Sequence, residues 1–317
     1  MEAPYAIGID VGGTTTKFAA VNRAGEILFQ NVIPTTQFPT VDLFVEALCK
    51  HIIPIIENLG GADRFAGIGI GAPNGNVYTG SIEYAPNLLW KGILPLASMK
   101  NEKTGLYTKL TNDANADAVG EMMYGCAKTV QLFIMITLGT GVGSGIVIDG
   151  KIVVGHDGFA GELGHTIIRP GGRLHPGTGM RGSLESYASA TGVRENALEL
   201  LDQNINRKSL LRNFSKVQLT SQIVYECAFK GDELANEVFE FTGKILGEAL
   251  ANFVMFSSPE MIVLFGGLTK AGDLIMKPTK KYMEENLLPI YKNKVRLEIS
   301  SLKESDAAIL GASALVL

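Results

Sequence analysis

Two short segments rich in glycine and threonine stand where a strand could turn back on itself. IDVGGTTTK covers residues 9–17 and TLGTGVGSG covers residues 137–145, each between two apolar stretches. Small residues at a turn let the backbone approach a ligand closely, and successive main-chain N–H groups can then bind an anion. The chemistry that these turns predict is phosphate binding.

The same residues exclude two other kinds of phosphate loop. The sequence contains no GxxxxGK[ST] segment, which excludes a Walker A loop. Residues 139–145 carry the glycines of a dinucleotide-binding turn, but that turn opens a helix, whereas residues 146–154 read IVIDGKIVV and are typical of strands. Both turns are therefore predicted to join two strands. A single turn of this kind could be a tight hairpin without a ligand; two matched turns favour a ligand.

The two turns belong to a weak internal repeat. Residues 10–22 align with residues 137–149 without gaps, and Asn22 then stands opposite Asp149. Two copies of one supersecondary unit suggest two similar lobes. Asp10 ends its strand beside the predicted phosphates, where a carboxylate requires a cation between the negative groups. Asp10 thus predicts Mg²⁺, bound through water or phosphate.

Hydrophobic periodicity and turn residues predict the elements that position these groups. The predicted strands are 5–11, 14–21, 26–33, 65–73, two strands on either side of the second turn within residues 132–154, 261–267 and 295–300. The predicted helices are 41–59, 112–125, 185–189, 218–230, 233–257, 274–286 and one from Asp306. Residues 73–100 are predicted to be irregular and, being rich in apolar residues, functional.

These and further segments resemble a known family. Residues 9–21 and 137–150 resemble the two phosphate motifs of the actin-like ATPase and sugar kinase superfamily. Over essentially the whole chain, and in order, the sequence resembles the ROK family of sugar kinases and sugar-responsive repressors. The segments that carry this resemblance are GIGIGAPNGNV (67–77), APNLLW (85–90), LTNDANADAVGE (110–121), residues 139–168, GSLESYAS (182–189) and VLFGGL (263–268).

The resemblance implies a fold and a division into domains. The fold is α/β, of the two-lobed actin-like ATPase (ribonuclease H-like) type, with duplicated mixed-sheet domains around a cleft. The implied small lobe is residues 1–118, completed by a C-terminal helix at 306–317. The implied large lobe is residues 119–305, with the sugar-binding loop and the nucleotide site.

The resemblance also implies an activity, which is phosphorylation of a hexose at its 6-hydroxyl by ATP and Mg²⁺. Glucose is the first choice, while N-acetylglucosamine, N-acetylmannosamine, mannose, fructose and allose stay open, as does polyphosphate in place of ATP. A homodimer is implied as well. A DNA-binding repressor is the alternative; such family members carry a helix-turn-helix segment ahead of the first phosphate motif, and here six residues precede Ile7. An actin-like filament or chaperone-type ATPase would leave the ELGH and PNLLW segments without a purpose.

Asp113 is the predicted catalytic residue, because the resemblance places the base that faces the sugar hydroxyl at this position. A helix N-terminus stabilises an ionised carboxylate, so Asp113 is expected to be charged at neutral pH. The alternative is that Asp113 only caps its helix, unless Asn112 does so instead.

The resemblance implies two further groups of site residues. The implied sugar-binding residues are Asn87, Asn112, Glu162, His165 and Glu185. The implied nucleotide-binding residues are Asp10, Gly12, Gly13, Thr14, Thr15, Lys17, Gly139, Thr140, Gly141, Gly143, Gly266 and Gly267. Taken singly, Glu162 or His165 could be an ordinary surface residue, Lys17 a solvated charge, and Gly266–Gly267 a plain strand-to-helix turn. Trp90 is expected to pack its loop.

The chain departs from the family at one motif. Many members carry a zinc motif, CxCGxxGC, whose cysteine positions here hold Pro176, Thr178 and Ser183. Only His165 remains of the four ligands, and one histidine cannot build a tetrahedral zinc site. No zinc site is expected. The loop must then be held by its own hydrogen bonds, and it is expected to be mobile without ligand.

Composition narrows the remaining function classes. A net charge of −4 argues against a nucleic-acid partner or a membrane surface, both of which favour basic patches. Three widely separated cysteines predict neither disulfides nor a cysteine zinc site. The sequence shows neither a signal peptide nor an apolar run long enough to span a membrane, so a cytoplasmic location is expected.

Overall fold

The structure is a computed structural model that describes residues 3–317. Its elements are thirteen strands and nine α-helices within these residues. The strands are β1 Tyr5–Val11, β2 Thr15–Asn22, β3 Ile27–Pro34, β4 Phe65–Ala72, β5 Gly75–Asn76, β6 Ser81–Glu83, β7 Ile93–Leu94, β8 Thr108–Asn112, β9 Phe133–Leu138, β10 Val142–Ile148, β11 Lys151–Ile152, β12 Met261–Phe265 and β13 Arg296–Ile299. The α-helices are α1 Val41–Asn58, α2 Leu96–Thr104, α3 Asp113–Tyr124, α4 Glu185–Ala188, α5 Ala190–Gln203, α6 Ser221–Phe229, α7 Glu233–Ser257, α8 Asp273–Asn286 and α9 Ala307–Ala314.

The chain divides into two compact units. The first contains the chain up to Leu132 together with Gly145–Gly161 and Ser300–Leu317, and the second contains Phe133–Ser144 and Glu162–Ile299. The C-terminal helix lies in the first unit, as in the expected division. Residues 119–132 and 145–161 also lie there, whereas the expected division put them in the large lobe. The reason is that α3 continues past residue 118, and Gly145 packs directly against Ala118 of that helix.

The first unit contains a five-stranded sheet that brings polar residues to one edge. Its strand order is β3-β2-β1-β4-β8, with β1, β4 and β8 parallel. The carboxyl ends of parallel strands lie at the same edge of a sheet. Asp10 pairs in register with Gly71, and Ala72 pairs with Asn112, so the end of β1 and the start of α3 lie at this edge.

The second five-stranded sheet has the order β11-β10-β9-β12-β13. Strands β9, β12 and β13 are parallel, and Thr137 pairs with Phe265. The second glycine turn after β9 and the glycines after β12 therefore leave the sheet at the same edge. Gly266 lies so close to the Leu138 carbonyl that a Cβ there would come within 2.7 Å of the oxygen, and its φ of 100° suits glycine.

The structure confirms the strand–turn–strand repeat. The first turn connects Val11 to Thr15, and the second connects Leu138 to Val142, which are equivalent positions in the ungapped alignment. Gly12 donates a backbone hydrogen bond to the Thr15 carbonyl (3.0 Å), and Gly139 donates one to the Gly141 carbonyl (3.0 Å). Both turns are thus closed by a bond from their first glycine.

Helix α1 forms much of the core of the first unit because its apolar residues recur at helical spacing. Phe44, Leu48 and Ile52 are fully buried among the strand residues of that core. Trp90 packs its ring 4.7 Å from that of Phe44 and donates its indole N–H to the Phe38 carbonyl (2.8 Å). The prediction that Trp90 packs its loop is confirmed.

Two predictions about secondary structure are wrong. Residues 73–100 are not irregular throughout, because β5, β6 and β7 form a small antiparallel sheet and α2 begins at Leu96. Strands of two or three residues are too short to show a periodic pattern. Helix α5 has no counterpart among the predicted helices. It follows α4 after a single residue, Ser189, whose hydroxyl caps it by accepting from the Gly192 N–H.

Among residues 3–317, no helix combines the length and the apolar character that a membrane span requires.

One buried charge in the first unit leads to a stability prediction. Lys100 on α2 is fully buried, and its Nζ lies 3.4 Å from the Cys49 Sγ on α1. Burial lowers the Lys100 pKa to about 8, although Cys49 opposes the shift. Below that pH both folded and unfolded chains carry the proton, and between pH 8 and the ordinary value of 10.5 only the unfolded chain does. Stability therefore rises with pH in that window, and the buried charge costs most at neutral pH.

We expect Lys100→Met to raise the free energy of unfolding at pH 7 by about 3 kcal/mol, and the gain to disappear above about pH 10. Urea unfolding of both proteins across that pH range measures it. Lys103→Met is the matched control, since Lys103 lies on the same helix with an exposed side chain. A less stable Lys100→Met protein at pH 7 would show that the amine contributes favourably to the core.

Candidate active site

Asp113 is the first residue of α3, at the edge of the first sheet where Asp10 also lies. The helix is capped by Asn112, whose side-chain oxygen accepts a hydrogen bond from the Ala114 N–H (2.9 Å). Asp113 accepts from the same N–H through its Oδ1 (2.8 Å) and is exposed to solvent. Of the two alternatives, Asn112 therefore caps the helix. The Asn112 oxygen is then engaged within the protein, while Asp113 presents a carboxylate to solvent.

The pKa of Asp113 is raised above its ordinary value. The cause is desolvation by the surrounding protein, although part of the residue stays exposed to solvent; the backbone N–H groups of Ala114 and of Asp113 itself oppose the shift. A helix N-terminus by itself lowers the pKa of a carboxylate, and at Asp113 desolvation outweighs that effect. The expectation that Asp113 is charged at neutral pH stays a prediction.

Asp10 and Lys17 form a cross-strand pair on the hairpin of β1 and β2. The pKa of Asp10 is raised to about 6, mainly by burial and next by the negative charge of Asp113, while Lys17 opposes the shift. Residues directly opposite each other in a sheet share a face. Lys17 therefore acts electrostatically on the Asp10 carboxylate, which the sequence analysis did not foresee.

The raised pKa of Asp10 predicts a gain in stability on its removal. Between the ordinary value of 3.8 and about 6, the folded chain binds more protons than the unfolded chain, so this group costs stability as the pH rises through that window. We expect Asp10→Asn to raise the free energy of unfolding by about 3 kcal/mol at pH 7 and by almost nothing near pH 4. Thermal unfolding at both pH values tests this, with the exposed Asp63→Asn as control. An equal effect at the two pH values would rule out titration as the cause.

Two further carboxylates on α3 were missed in the sequence. Asp117 and Glu121 follow Asp113 at intervals of four residues, which places all three on one face of the helix. Glu121 is fully buried and accepts from the Cys126 N–H (2.8 Å) and the Ser300 hydroxyl (2.6 Å). Within residues 3–317 the buried Oδ1 of Asp117 has no hydrogen-bond partner. Burial and the three neighbouring carboxylates raise the pKa of Asp117 well above its ordinary value, which favours its neutral form.

The first glycine turn is packed against the loop that carries Asn87. A Cβ on Gly13 would come within 2.5 Å of the Asn87 carbonyl oxygen, so only glycine allows this approach. The Asn87 side chain is exposed. Thr14 is exposed at the tip of the turn, and its carbonyl accepts from the Thr35 N–H (2.8 Å). The turn and an implied sugar-binding residue are thus held together within the first unit.

The N–H groups of the glycine turns are only partly open to a ligand. Besides the two closing bonds from Gly12 and Gly139, the Gly143 N–H donates to the Thr137 hydroxyl (3.1 Å). The Thr140 carbonyl accepts from the Thr191 hydroxyl (3.2 Å). Phosphate contacts from these three glycines would therefore compete with bonds inside the protein.

Glu185, at the start of α4, lies beside the second glycine turn. Its Oε2 accepts from the Val142 N–H (2.7 Å), and its Oε1 lies 2.8 Å from the His175 Nε2. A Cβ on Gly141 would come within 2.3 Å of the carboxylate, so Gly141 makes room for it. The sequence analysis expected Glu185 in the site but missed His175. The only sequence signal for His175 was its position near Glu185 along the chain.

Glu162 and His165 lie at the two ends of a short turn that is fixed to β10. The His165 Nε2 is 3.8 Å from the Glu162 carboxylate. The Leu163 N–H donates to the Ser144 hydroxyl (3.0 Å). A Cβ on Gly164 would come within 2.0 Å of the Val142 carbonyl oxygen. The structure therefore brings Glu162, His165 and the start of β10 together within the second unit.

The loop that replaces the zinc motif is held by its own hydrogen bonds, as predicted. The Ile168 and Arg169 N–H groups both donate to the Gly182 carbonyl (2.8 and 3.0 Å), and the Gly182 N–H donates to the Arg173 carbonyl (2.8 Å). Arg173 also forms an ion pair with Glu199. In the described part of the chain, no three His, Cys, Asp or Glu side chains group as metal ligands would. The absence of zinc and the mobility of the loop stay predictions.

Gly266 and Gly267 follow β12 and lead into a short 3₁₀ turn, Gly267–Ala271. Both readings of these glycines, a nucleotide contact and a plain turn between a strand and a helix, fit this geometry.

Comparisons with known proteins identify the family and the fold. The sequence model of the ROK family matches residues 6–317. A glucokinase of Halalkalibacterium halodurans is 36% identical over 100% of this chain and 96% of its own length. The crystal structure of a ROK family glucokinase from Streptomyces griseus, in complex with glucose and AMPPNP, superimposes with a TM-score of 0.79 at 30% identity and covers 98% of this chain and 99% of its own. A xylose repressor of Caldicellulosiruptor bescii is 28% identical over 98% of this chain and 77% of its own length.

These neighbours confirm the predicted fold class, since ROK sugar kinases have the actin-like ATPase fold. They do not bear on the individual site residues.

Proposed function

Because the chain belongs to the ROK family, we propose that it is an ATP-dependent hexose kinase that phosphorylates the 6-hydroxyl of glucose. The observation that carries the proposal is the Asp113 carboxylate, which is exposed at the N-terminus of α3 and lies at the same sheet edge as the first glycine turn. The 36% identity to a glucokinase supports glucose as the substrate. AMPPNP, bound by the glucokinase of Streptomyces griseus, is an analogue of ATP, which supports ATP as the donor.

Asp113 is proposed to orient the sugar and to take its proton. The O6 lone pair attacks the γ-phosphorus of ATP in line, the bond from that phosphorus to the β,γ-bridging oxygen breaks, and ADP leaves. The proton of the 6-hydroxyl passes to the Asp113 carboxylate. In a loose transition state the hydroxyl keeps its proton until late, so the position of Asp113 matters more than its basicity. A raised pKa is compatible with that role and makes the carboxylate a better acceptor once the proton moves.

The small-residue turns are proposed to bind phosphate. The residues of the first turn are Gly12, Gly13, Thr14 and Thr15, with Lys17 following on β2. The residues of the second turn are Gly139, Thr140, Gly141 and Gly143, and Gly266 and Gly267 are proposed to contact the adenosine. Where N–H groups are already engaged, as in Gly143, the threonine hydroxyls and the neighbouring N–H groups remain as donors.

The residues near Asp10 fit a magnesium ion. Mg²⁺ prefers hard oxygen ligands and keeps several waters, and Asp10 supplies one carboxylate at the edge where phosphate is proposed to bind. A bound Mg²⁺ would neutralise charge on the phosphate oxygens. Asp10 would have to be ionised for this, which requires a pH above its pKa of about 6.

The residues proposed to contact the sugar are Asn87, Asn112, Glu162, His165 and Glu185. Carboxylates accept hydrogen bonds from sugar hydroxyls, and an imidazole or an amide can both donate and accept. The Asn112 oxygen already accepts one hydrogen bond as the cap of α3, so its amide N–H groups and the second lone pair of that oxygen are what it can offer a sugar. A homodimer, a cytoplasmic location and the absence of a nucleic-acid partner remain part of the proposal.

A coupled ADP-release assay tests the function. The purified protein, ATP and Mg²⁺ are mixed with glucose, mannose, fructose, allose, N-acetylglucosamine and N-acetylmannosamine in turn. Polyphosphate replaces ATP in a parallel set, in which formation of the sugar phosphate is measured because polyphosphate yields no ADP. We expect glucose with ATP to give the highest kcat/KM. A higher value for another sugar would correct the substrate, and no turnover of any sugar with either donor would refute the proposal.

A further inference from the structure

Both oxygens of the Glu185 carboxylate are already held by donors of the second unit. Oε2 accepts from the backbone N–H of Val142, and Oε1 is 2.8 Å from the His175 Nε2. The side chains are mostly buried, with exposed fractions of 15% for Glu185 and 23% for His175. Each carboxylate oxygen has two lone-pair sites, so one donor per oxygen leaves a second site open on each.

The hydrogen bonds around His175 fix which ring nitrogen carries the proton. The Thr178 backbone N–H donates to the His175 Nδ1 (3.2 Å), and the Thr178 hydroxyl lies 3.1 Å from the same nitrogen. A backbone N–H can only donate, so Nδ1 must be the acceptor and the proton of the neutral ring must be on Nε2. That proton points to Glu185. The imidazole thus serves as a donor without needing a positive charge.

A small hairpin presents the imidazole in this orientation. Leu174 and Arg181 form an antiparallel bridge, the His175 N–H donates to the Met180 carbonyl (2.8 Å), and the Gly179 N–H donates to the His175 carbonyl (2.9 Å). Gly179 has a φ of 73°, which suits glycine and lets the hairpin close. The backbone of His175 is therefore fixed on both sides before its ring meets Glu185.

We propose that His175 is a positioning residue for substrate recognition: through its Nε2–H it holds the Glu185 side chain in one rotamer, so that the remaining lone pairs of its oxygens accept hydroxyl groups of the hexose. This inference rests on the proposed function. Without His175 the carboxylate keeps only the Val142 N–H and gains rotamers that point away from the sugar. The expected loss is in sugar affinity rather than in phosphoryl transfer, because neither His175 nor Glu185 contacts the reacting oxygen in the proposed mechanism.

The kinetic test compares His175→Ala with His175→Gln. We expect His175→Ala to raise KM for the hexose about tenfold, the loss of roughly one hydrogen bond to a charged group, with kcat changed less than about threefold. His175→Gln should recover most of the affinity, since its amide can donate to Glu185 while its oxygen accepts from Thr178. His156→Ala, at an exposed histidine of the first unit, is the control. An unchanged KM in His175→Ala, or no recovery in His175→Gln, would overturn the inference.

A second measurement needs no turnover. In the wild-type protein labelled with ¹⁵N-histidine, NMR at neutral pH should show His175 with a protonated Nε2 and a bare Nδ1. Averaged tautomers or a protonated ring would refute the assignment. If the wild type is inactive but shows the Nε2–H tautomer, the proposed function is refuted and the His175–Glu185 pair stands. If the wild type is active but shows averaged tautomers, the proposed function stands and the role of His175 is refuted.

Discussion

Asp113→Asn is expected to lower kcat by roughly 10²–10⁴-fold, while KM for glucose changes less than about threefold. The amide has the shape of the carboxylate and can still contact a hydroxyl, so the sugar should bind. It cannot accept the proton of O6, and it carries no negative charge to orient that hydroxyl. Steady-state kinetics with ATP and Mg²⁺ give kcat, and isothermal titration with glucose gives the affinity independently of turnover.

Asp117→Asn is the matched control for this substitution. It makes the same chemical change one helical turn along α3, at a carboxyl group whose raised pKa favours the neutral form. An amide at this position keeps the size of the carboxyl group and removes no group of the proposed mechanism, so kcat should stay within about threefold of wild type. A near-normal kcat for Asp113→Asn would remove Asp113 from the mechanism, and an equal loss in both variants would indicate a general effect of α3.

The neighbourhood of Asp113 was partly predictable from the sequence. The motif gave the residue, and Asn112 was a visible alternative cap because both types cap helices. The sign of the Asp113 pKa shift was not predictable. It depends on how many protein atoms surround the carboxylate, and those atoms come from segments distant in sequence. The four-residue spacing of the Asp117 and Glu121 carboxyl groups was visible in the sequence, but the burial of these side chains was not.

The glycine turns were predicted more completely than the loop near Glu185. In the ungapped repeat, Val11 is equivalent to Leu138 and Thr15 to Val142. Each turn is formed by a few consecutive residues, so the local sequence is enough to predict it. The contact between Glu185 and His175 depends on a hairpin that closes through the bridge between Leu174 and Arg181. The hydrophobic pattern of the sequence does not predict this hairpin. Contacts of this kind depend on tertiary structure and therefore appear only in the folded chain.

Gly164→Ala is expected to reduce kcat/KM for glucose by roughly 100-fold, although glycine has no reactive group. Its φ is not in the left-handed region, so alanine suits the backbone and the conflict is purely steric: the new Cβ would lie 2.0 Å from the Val142 carbonyl oxygen. Either the turn that carries Glu162 and His165 must move outward, or the start of β10 must. The second movement displaces the N–H that Glu185 accepts from, so both outcomes misplace groups proposed to bind the sugar, and misplacement by about 1 Å can cost 10²-fold. Kinetics on the purified variant measure the loss.

Overpacking should also lower the free energy of unfolding of Gly164→Ala by about 1–3 kcal/mol. Gly139→Ala controls for the general effect of an added methyl group on folding, because a Cβ at Gly139 meets no atom within 4 Å. The unfolding free energy of this variant should match that of wild type. If Gly164→Ala had the unfolding free energy of wild type and a kcat/KM within about threefold of it, the close approach of Gly164 to Val142 would have no part in placing Glu162 and His165. A loss of kcat/KM in a variant that still unfolds cooperatively would instead tie the glycine of the ELGH segment to the position of the two side chains beside it.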